Sequence, residues 1–399
     1  MGIFSEYLDN PEIAGNFQNL VAERKKQLKR IADIRDRDVL AFVADINKAG
    51  FPGAQQIAMG HHDLLPITDQ LANLTGDKLD LIVETPGGLG DVAEEIMQIC
   101  RHKYREIAII VLGWVKSAGT IMAMGADEIL MGPSSALGPI DAQLSWQGKQ
   151  FSADALLQGM EKIKDEVVKT GVLNKAYIPI LQGISPGELQ SAQNALDFGK
   201  DLVTKWLVAY KFKNWTVHSS SGEAVTDDEK KARAKEVADK LCDHQRWLSH
   251  GRSIRIPDLE EMKLQITDYS KNPLLSDAIA RYYALVQMIF FTNIYKVYET
   301  VGSQIMKGLA PPLPPPLQLQ QLQRVTAGMH GSATFGLQCH KCGTVSQIQA
   351  NFEPNQPLQP GHLPYPANNR FKCPRCGVEH DLIDTRRQLE AQSKRTVLC

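Results

Sequence analysis

Apolar residues in this chain fall into short unbroken runs separated by stretches with helical spacing. Ile107 to Val115 is an apolar run of strand length, as expected for a buried strand, and Leu79 to Thr85 reads as a second buried strand. Val39 to Ile46 is a third strand candidate. From Asp91 the pattern changes, and Val92, Ile96 and Ile99 share one face of a helix. Buried strands alternating with amphipathic helices predict βαβ units and an α/β fold. Further helices are expected over 15–37, 64–74 and 153–169, the second capped by Asp63 after His61-His62. Ser185-Pro186-Gly187-Glu188 and Thr226-Asp227-Asp228-Glu229 are start signals for helices running toward Phe212 and Cys242. Residues 274–306 form an aromatic-rich region expected to be helical and a candidate oligomer contact.

Two strand ends carry chemistry. Pro86-Gly87-Gly88-Leu89-Gly90 breaks the Leu79 run, and Lys116-Ser117-Ala118-Gly119-Thr120 follows the Ile107 run. A serine between a buried strand and a helix N-terminus presents its hydroxyl, a geometry suited to an acyl-transfer nucleophile. Glycines allow close backbone approach, so the amides of Gly87, Gly88 and Ala118 are candidates to hold a developing oxyanion. The competing reading is two ordinary βα turns punctuated by small residues.

The chain has 399 residues, which implies more than one domain, and 43% hydrophobic residues, enough for a sizeable core. A net charge of −1 gives no general attraction to nucleic acid or anionic lipid. No apolar run is long enough to span a bilayer, and the first residues lack a basic start and an apolar signal core. A soluble, cytoplasmic protein is expected. Of seven cysteines, Cys100, Cys242 and Cys399 stand alone. The other four form two CxxC-Gly knuckles, Cys339/Cys342 and Cys373/Cys376, whose spacing fits a closed tetrahedral structural zinc site. The proline-rich run after Leu309 cannot continue a helix and reads as a linker.

Glu84-Thr85-Pro86-Gly87-Gly88-Leu89, Lys116-Ser117-Ala118-Gly119-Thr120 and the stretch from Ala126-Asp127-Glu128-Ile129 to Gly138-Pro139-Ile140-Asp141 resemble the serine dehydrogenase proteinase family. That family is similar to signal peptide peptidase A and, more distantly, to the Clp protease subunit. The resemblance covers roughly residues 39–265 and implies a Clp/crotonase-like α/β fold of stacked βαβ units. It also implies a homo-oligomer and peptide or protein substrates. The expected layout is an N-terminal helical segment (1–38), the peptidase domain (39–265), a helical extension (266–308), a Pro/Gln-rich linker (309–324) and a zinc ribbon (325–399).

The base is the open position. Where the Clp subunit has a histidine this chain has Asp141, and where it has an acid this chain has Gln245. Signal peptide peptidase A uses a lysine in the loop before a long helix, and by that resemblance Lys175 is the expected base, with Lys200, Lys164 and His250 as alternatives. The expected activity is a cytoplasmic serine endopeptidase with a Ser117–Lys175 dyad and a structural zinc. A non-catalytic scaffold recruiting a protein or nucleic acid through the ribbon, or acyl-CoA thioester chemistry, are the alternatives.

Overall fold

The apolar runs become a parallel sheet. β1 (Asp38–Ala44), β2 (Lys78–Thr85), β3 (Glu106–Val115) and β4 (Glu128–Met131) are successive parallel neighbours. β5 (Ala136–Leu137) pairs with the end of β3, and β6 (Gln143–Trp146) with β7 (Lys149–Ser152) forms a separate hairpin. β8 (Thr267–Asp268) joins β4 in parallel, while β9 (Ile294–Glu299) and β10 (Gln304–Gly308) form an antiparallel hairpin on the free edge of β1. The sheet order is β10-β9-β1-β2-β3-β4-β8. This computed structural model describes residues 2–49, 56–146, 149–218, 221–309 and 331–398.

The helices are α1 (Ile3–Leu8), α2 (Pro11–Ala14), α3 (Phe17–Arg35), α4 (Leu64–Ala72), α5 (Gly90–Lys103), α6 (Ala118–Met124), α7 (Ala153–Thr170), α8 (Ile178–Gln182), α9 (Pro186–Trp206), α10 (Asp227–Cys242), α11 (His244–Trp247), α12 (Ile256–Glu261) and α13 (Pro273–Phe290). One sheet face, with Leu40, Leu81 and Ile109, packs on α5, α6, α9 and α10. The other, with Ala41, Ile82 and Ile110, packs on α3 and α13. Both faces are therefore covered, the physical reason Ile107–Val115 of β3 reads as a continuous apolar run. The start signals hold: Ser185 and Thr226 each complete a capping box, with Glu188 and Glu229.

Two expectations are corrected. The region 266–308 is helical only as far as Phe290, and its end is the β9–β10 hairpin of the main sheet. Val, Ile and Tyr fill β9, residues that favour strands. Asp63 does not cap α4 with its side chain. Fully buried, it accepts from the Gly60 amide at 2.9 Å, from Lys296 Nζ at 2.9 Å and from the Tyr298 hydroxyl.

The chain divides into compact units of residues 1–310 and 311–399. The second holds β11 (Ser332–Gln338), β12 (Val345–Asn351), β13 (Leu363–Pro364), β14 (Arg370–Lys372), β15 (Glu379–Asp381) and α14 (Ile383–Ser393) around Phe335, Ile348 and Phe371. Apart from Leu309, the expected linker over 309–324 lies outside the described residues.

Candidate active site and metal centre

β2 and β3 end side by side, with Thr85 opposite Val115 and the Lys116 amide donating to Thr85 O at 3.0 Å. The chain then turns sharply. Ser117 has φ 51° and ψ −119°, a conformation that costs a non-glycine residue about 1–3 kcal/mol and is held only where the surroundings impose it. Here the turn lets α6 start at Ala118, and the serine stays half-buried rather than enclosed.

The glycine turn presses against it. A Cβ on Gly87 would lie 2.7 Å from Ser117 Cβ and 3.3 Å from the Ala118 nitrogen. On Gly88 it would lie 2.2 Å from Met59 O. Both glycines have positive φ, 95° and 152°, so any side chain there is strained as well as obstructed. Met59 bridges Gly88 in parallel, donating to Gly87 O at 2.7 Å and accepting from Leu89 N at 3.0 Å. That pairing directs the amide and carbonyl of Gly88 away from Met59. Among the described residues the amides of Gly88 and Ala118 donate to no backbone carbonyl. Two free amides beside a strained serine can serve an anionic oxygen.

A second cluster lies beyond β5. Asp141 is fully buried and binds two histidines: His250 Nδ1 to one oxygen at 2.7 Å and His244 Nδ1 to the other at 3.0 Å. Gln143 Nε2 adds 2.9 Å to the second oxygen. Burial would raise the Asp141 carboxyl, but hydrogen bonds led by His250 and Ser152, with His244, outweigh it and hold the group below its ordinary value. Gln245 is turned elsewhere, its amide donating to Gln158.

Lys116 links this cluster's strand segment to the serine turn. Its Nζ donates to Leu137 O at 3.1 Å, Arg252 O at 3.0 Å and Ser253 Oγ at 3.1 Å, and Ile254 bridges Leu137. Burial, aided by Arg255, lowers this ammonium to about 8. Lys116 was not singled out in the sequence, although its place beside the serine was the available signal.

The expected lysines do not meet the requirement for a base. Lys175 stands exposed in the turn Lys175–Tyr177, so the desolvation expected of it is absent. Lys164 pairs with Glu161 and is raised, mainly by that hydrogen bond. Lys200 loses some hydration by burial, but Asp239 at 3.0 Å outweighs this and raises it.

In the second unit the sulfurs of Cys339, Cys342, Cys373 and Cys376 all lie within 4.8 Å of one another. Cys339 and Cys376 are 3.5 Å apart, and Cys342 and Cys373 3.7 Å. A tetrahedral ion with sulfur at about 2.3 Å needs separations of about 3.8 Å, so the four thiolates fit a closed metal shell. Each knuckle is built alike: Cys339 N donates to Thr344 O and Gly343 N to Cys339 O, and Cys373 N to Val378 O and Gly377 N to Cys373 O.

The main unit thus has a ClpP-like α/β fold with a serine at the strand-to-helix turn. Residues 7–180 match the family of ClpP-like SDH-type serine proteinases, which bears out the resemblance read from the motifs and supports a peptidase. The matched segment includes Ser117 and Lys175, while His250 and the four cysteines lie beyond it. Two uncharacterized proteins of Methanocaldococcus jannaschii are similar. MJ0137 is 29% identical over 150 residues, 37% of this chain and 50% of that protein. MJ1495 is 31% identical over 90 residues, 23% of this chain and 31% of that protein. The chain therefore spans half or less of the length of these relatives. Two solved structures of the 1510-N membrane-bound stomatin-specific protease were also found, a serine-to-alanine mutant and a lysine-to-alanine mutant in complex with a substrate peptide. Each is 22% identical; they cover 29% and 34% of this chain and 60% and 62% of their own, with TM-scores of 0.22 and 0.23. Likenesses of that size assign neither fold nor chemistry. No helix among the described residues is long and apolar enough to cross a membrane.

Proposed function

We propose that this chain is a serine peptidase in which Ser117 attacks the peptide carbonyl and the amides of Gly88 and Ala118 hold the oxyanion, with Gly87 fixing their approach. One observation carries this reading: a serine in a strained strand-to-helix turn, pressed against a glycine turn in which the Gly88 amide donates to no backbone carbonyl among the described residues, while the Gly87 amide, also an oxyanion candidate, donates to the Thr85 hydroxyl at 3.2 Å. The edge of Gly88 opposite Met59 is available to pair with an extended peptide. The substrate is a peptide or protein and the chain assembles into a homo-oligomer, as the family resemblance implies; a cytoplasmic location is the expectation from the sequence pattern. Lys175, the base expected from that resemblance, can serve only if assembly removes it from water. In this reading hydrolysis of a fluorogenic casein falls to background in Ser117→Ala while thermal unfolding is unchanged. Retained hydrolysis in that variant would reject the mechanism.

The four cysteines hold a structural zinc in this reading, supported by the sulfur separations. Purified protein then carries about one zinc per chain, lost on Cys339→Ser with Cys373→Ser, and zinc that survives both changes would reject the site.

A further inference from the structure

We propose that His250 is the general base of Ser117, oriented by Asp141, with His244 fixing the other oxygen of the same carboxylate. This rests on the reading of Ser117 as the nucleophile.

Position is the first argument. Val115 pairs with Leu137, Leu137 bridges Ile254, and Lys116 Nζ ties Leu137, Arg252 and Ser253 together. The segment 250–254 is therefore fastened to the residue immediately before the nucleophile. Asp141 lies four residues beyond Leu137 on the adjoining turn. Both parts of the His250–Asp141 pair are thus anchored to the end of β3 that presents Ser117. His244 is tied instead to α7, its backbone amide donating to Asp154 at 2.9 Å.

Chemistry is the second. An ionised carboxylate only accepts hydrogen bonds, so the Nδ1 atoms facing Asp141 carry the protons. In the neutral ring this leaves Nε2 of His250 with a lone pair, the tautomer needed to take a hydroxyl proton. Among the described residues no hydrogen bond uses that Nε2, and the ring is about one-quarter exposed (26%), open to an incoming substrate. Lys116 already donates to three acceptors, which holds it as the cation that positions the 252–254 segment.

The reaction balances without a further reagent. Ser117 Oγ bonds to the carbonyl carbon, its proton passes to His250 Nε2, and the C=O π pair moves onto the oxygen held by Gly88 and Ala118. As the tetrahedral species collapses, the C–N bond breaks and His250 returns the proton to the leaving amine. Water then attacks the acyl-serine, giving a proton to the same nitrogen; as this second tetrahedral species collapses the C–Oγ bond breaks, His250 returns the proton to Ser117 Oγ, and the acid is released.

The chain order is Ser…Asp…His, and the acid occupies the position at which the Clp subunit has its histidine. The base arrives from a segment 109 residues further on. Charged and titratable groups facing His250 from the packed elements are Asp141 and His244, with Lys116 on the adjoining strand end and Asp154 behind His244.

The test compares His250→Asn, His244→Asn and Lys175→Ala in the full chain. Asparagine at 250 keeps an N–H toward Asp141 and lacks Nε2, so the fold is retained while the base is lost. Expected are a kcat loss on the order of 100- to 10,000-fold for His250→Asn with KM little changed, and activity within about twofold of wild type for Lys175→Ala. His244→Asn, which removes only the donor to the other oxygen of Asp141, should cost less kcat than His250→Asn. Labelling of Ser117 by a fluorophosphonate should slow in parallel with turnover in His250→Asn. If His250→Asn turns over at near wild-type rate while Ser117 is still labelled, the base assignment is wrong and the nucleophile stands. If His250→Asn does not fold, His250→Gln with the same kcat and labelling readouts decides. If wild type is not labelled at Ser117, the underlying peptidase reading fails instead.

Discussion

Asp141 and Asp63 are both fully buried carboxylates that each gather several donors, yet their surroundings give them opposite roles. Asp63 faces the fully buried Lys296 at 2.9 Å and the Tyr298 hydroxyl, with the partly exposed His62 and Lys307 further off at 3.4 and 4.0 Å. Burial lowers the Lys296 ammonium to about 8 despite the attraction of Asp63. This cluster fixes the 57–63 segment, and through Met59 it supports the Gly87–Gly88 turn from behind. Asp141 instead faces two imidazoles that remain 26–29% exposed. One carboxylate locks a backbone; the other aims a titratable ring toward solvent. The lesson is that burial of the acid alone does not separate a structural cluster from a catalytic one, whereas its closest donors do: a buried ammonium and a phenol for Asp63, two imidazoles for Asp141.

The largest effect that can sharpen this contrast comes from the paired changes Asp141→Asn and Asp63→Asn. Asp141→Asn should cost on the order of 1,000-fold or more in turnover, through the wrong tautomer of His250, with a modest loss of stability. Asp63→Asn should do the reverse, destabilising by about 3–5 kcal/mol because the Lys296 charge is left buried without its partner. Urea unfolding together with casein hydrolysis reads both. Loss of turnover without loss of stability in Asp63→Asn would remove the contrast.

A smaller effect concerns a third buried carboxylate, Glu84, the last residue but one of β2, which has no ion-pair partner among the described residues. Burial pushes it up to about 8, only partly offset by hydrogen bonds from the Tyr283 hydroxyl and the Trp114 amide. A carboxyl raised on folding keeps its proton in the native state after the unfolded chain has lost its own. The associated stability is full below the unfolded value near 4.5 and is lost as pH rises through about 8. Glu84→Gln should flatten that part of the urea-midpoint profile between pH 4.5 and 8, and an unchanged slope would show that Glu84 is ionised in the native protein.

Much of this architecture was legible in the chain because its causes are local. Strands covered on both faces are mostly apolar, and Ile107–Val115 is so throughout, while Leu79–Thr85 keeps an apolar centre at Leu81–Val83. A serine between such a strand and a run of small residues announces its turn, and paired CxxC knuckles announce a metal shell. The base was not legible, since His250 meets Asp141 across 109 residues and no spacing rule connects them. Lys175 was chosen by its place before the Ser185 helix start, and chain position says nothing of exposure. Asp63 read as a cap because its partners, Lys296 and Tyr298, lie more than 230 residues away. The β9–β10 hairpin was read as helix although Ile294, Val297 and its tyrosines favour strand; Lys296 and Glu299, buried there with ionic partners, masked the pattern.

The central claim is that Ser117 is an activated nucleophile, and mass spectrometry after treatment with a fluorophosphonate tests it most directly. The account predicts one adduct per chain, mapped to Ser117 and absent from Ser117→Ala. An adduct on another serine, or none on the folded wild-type protein, would contradict it.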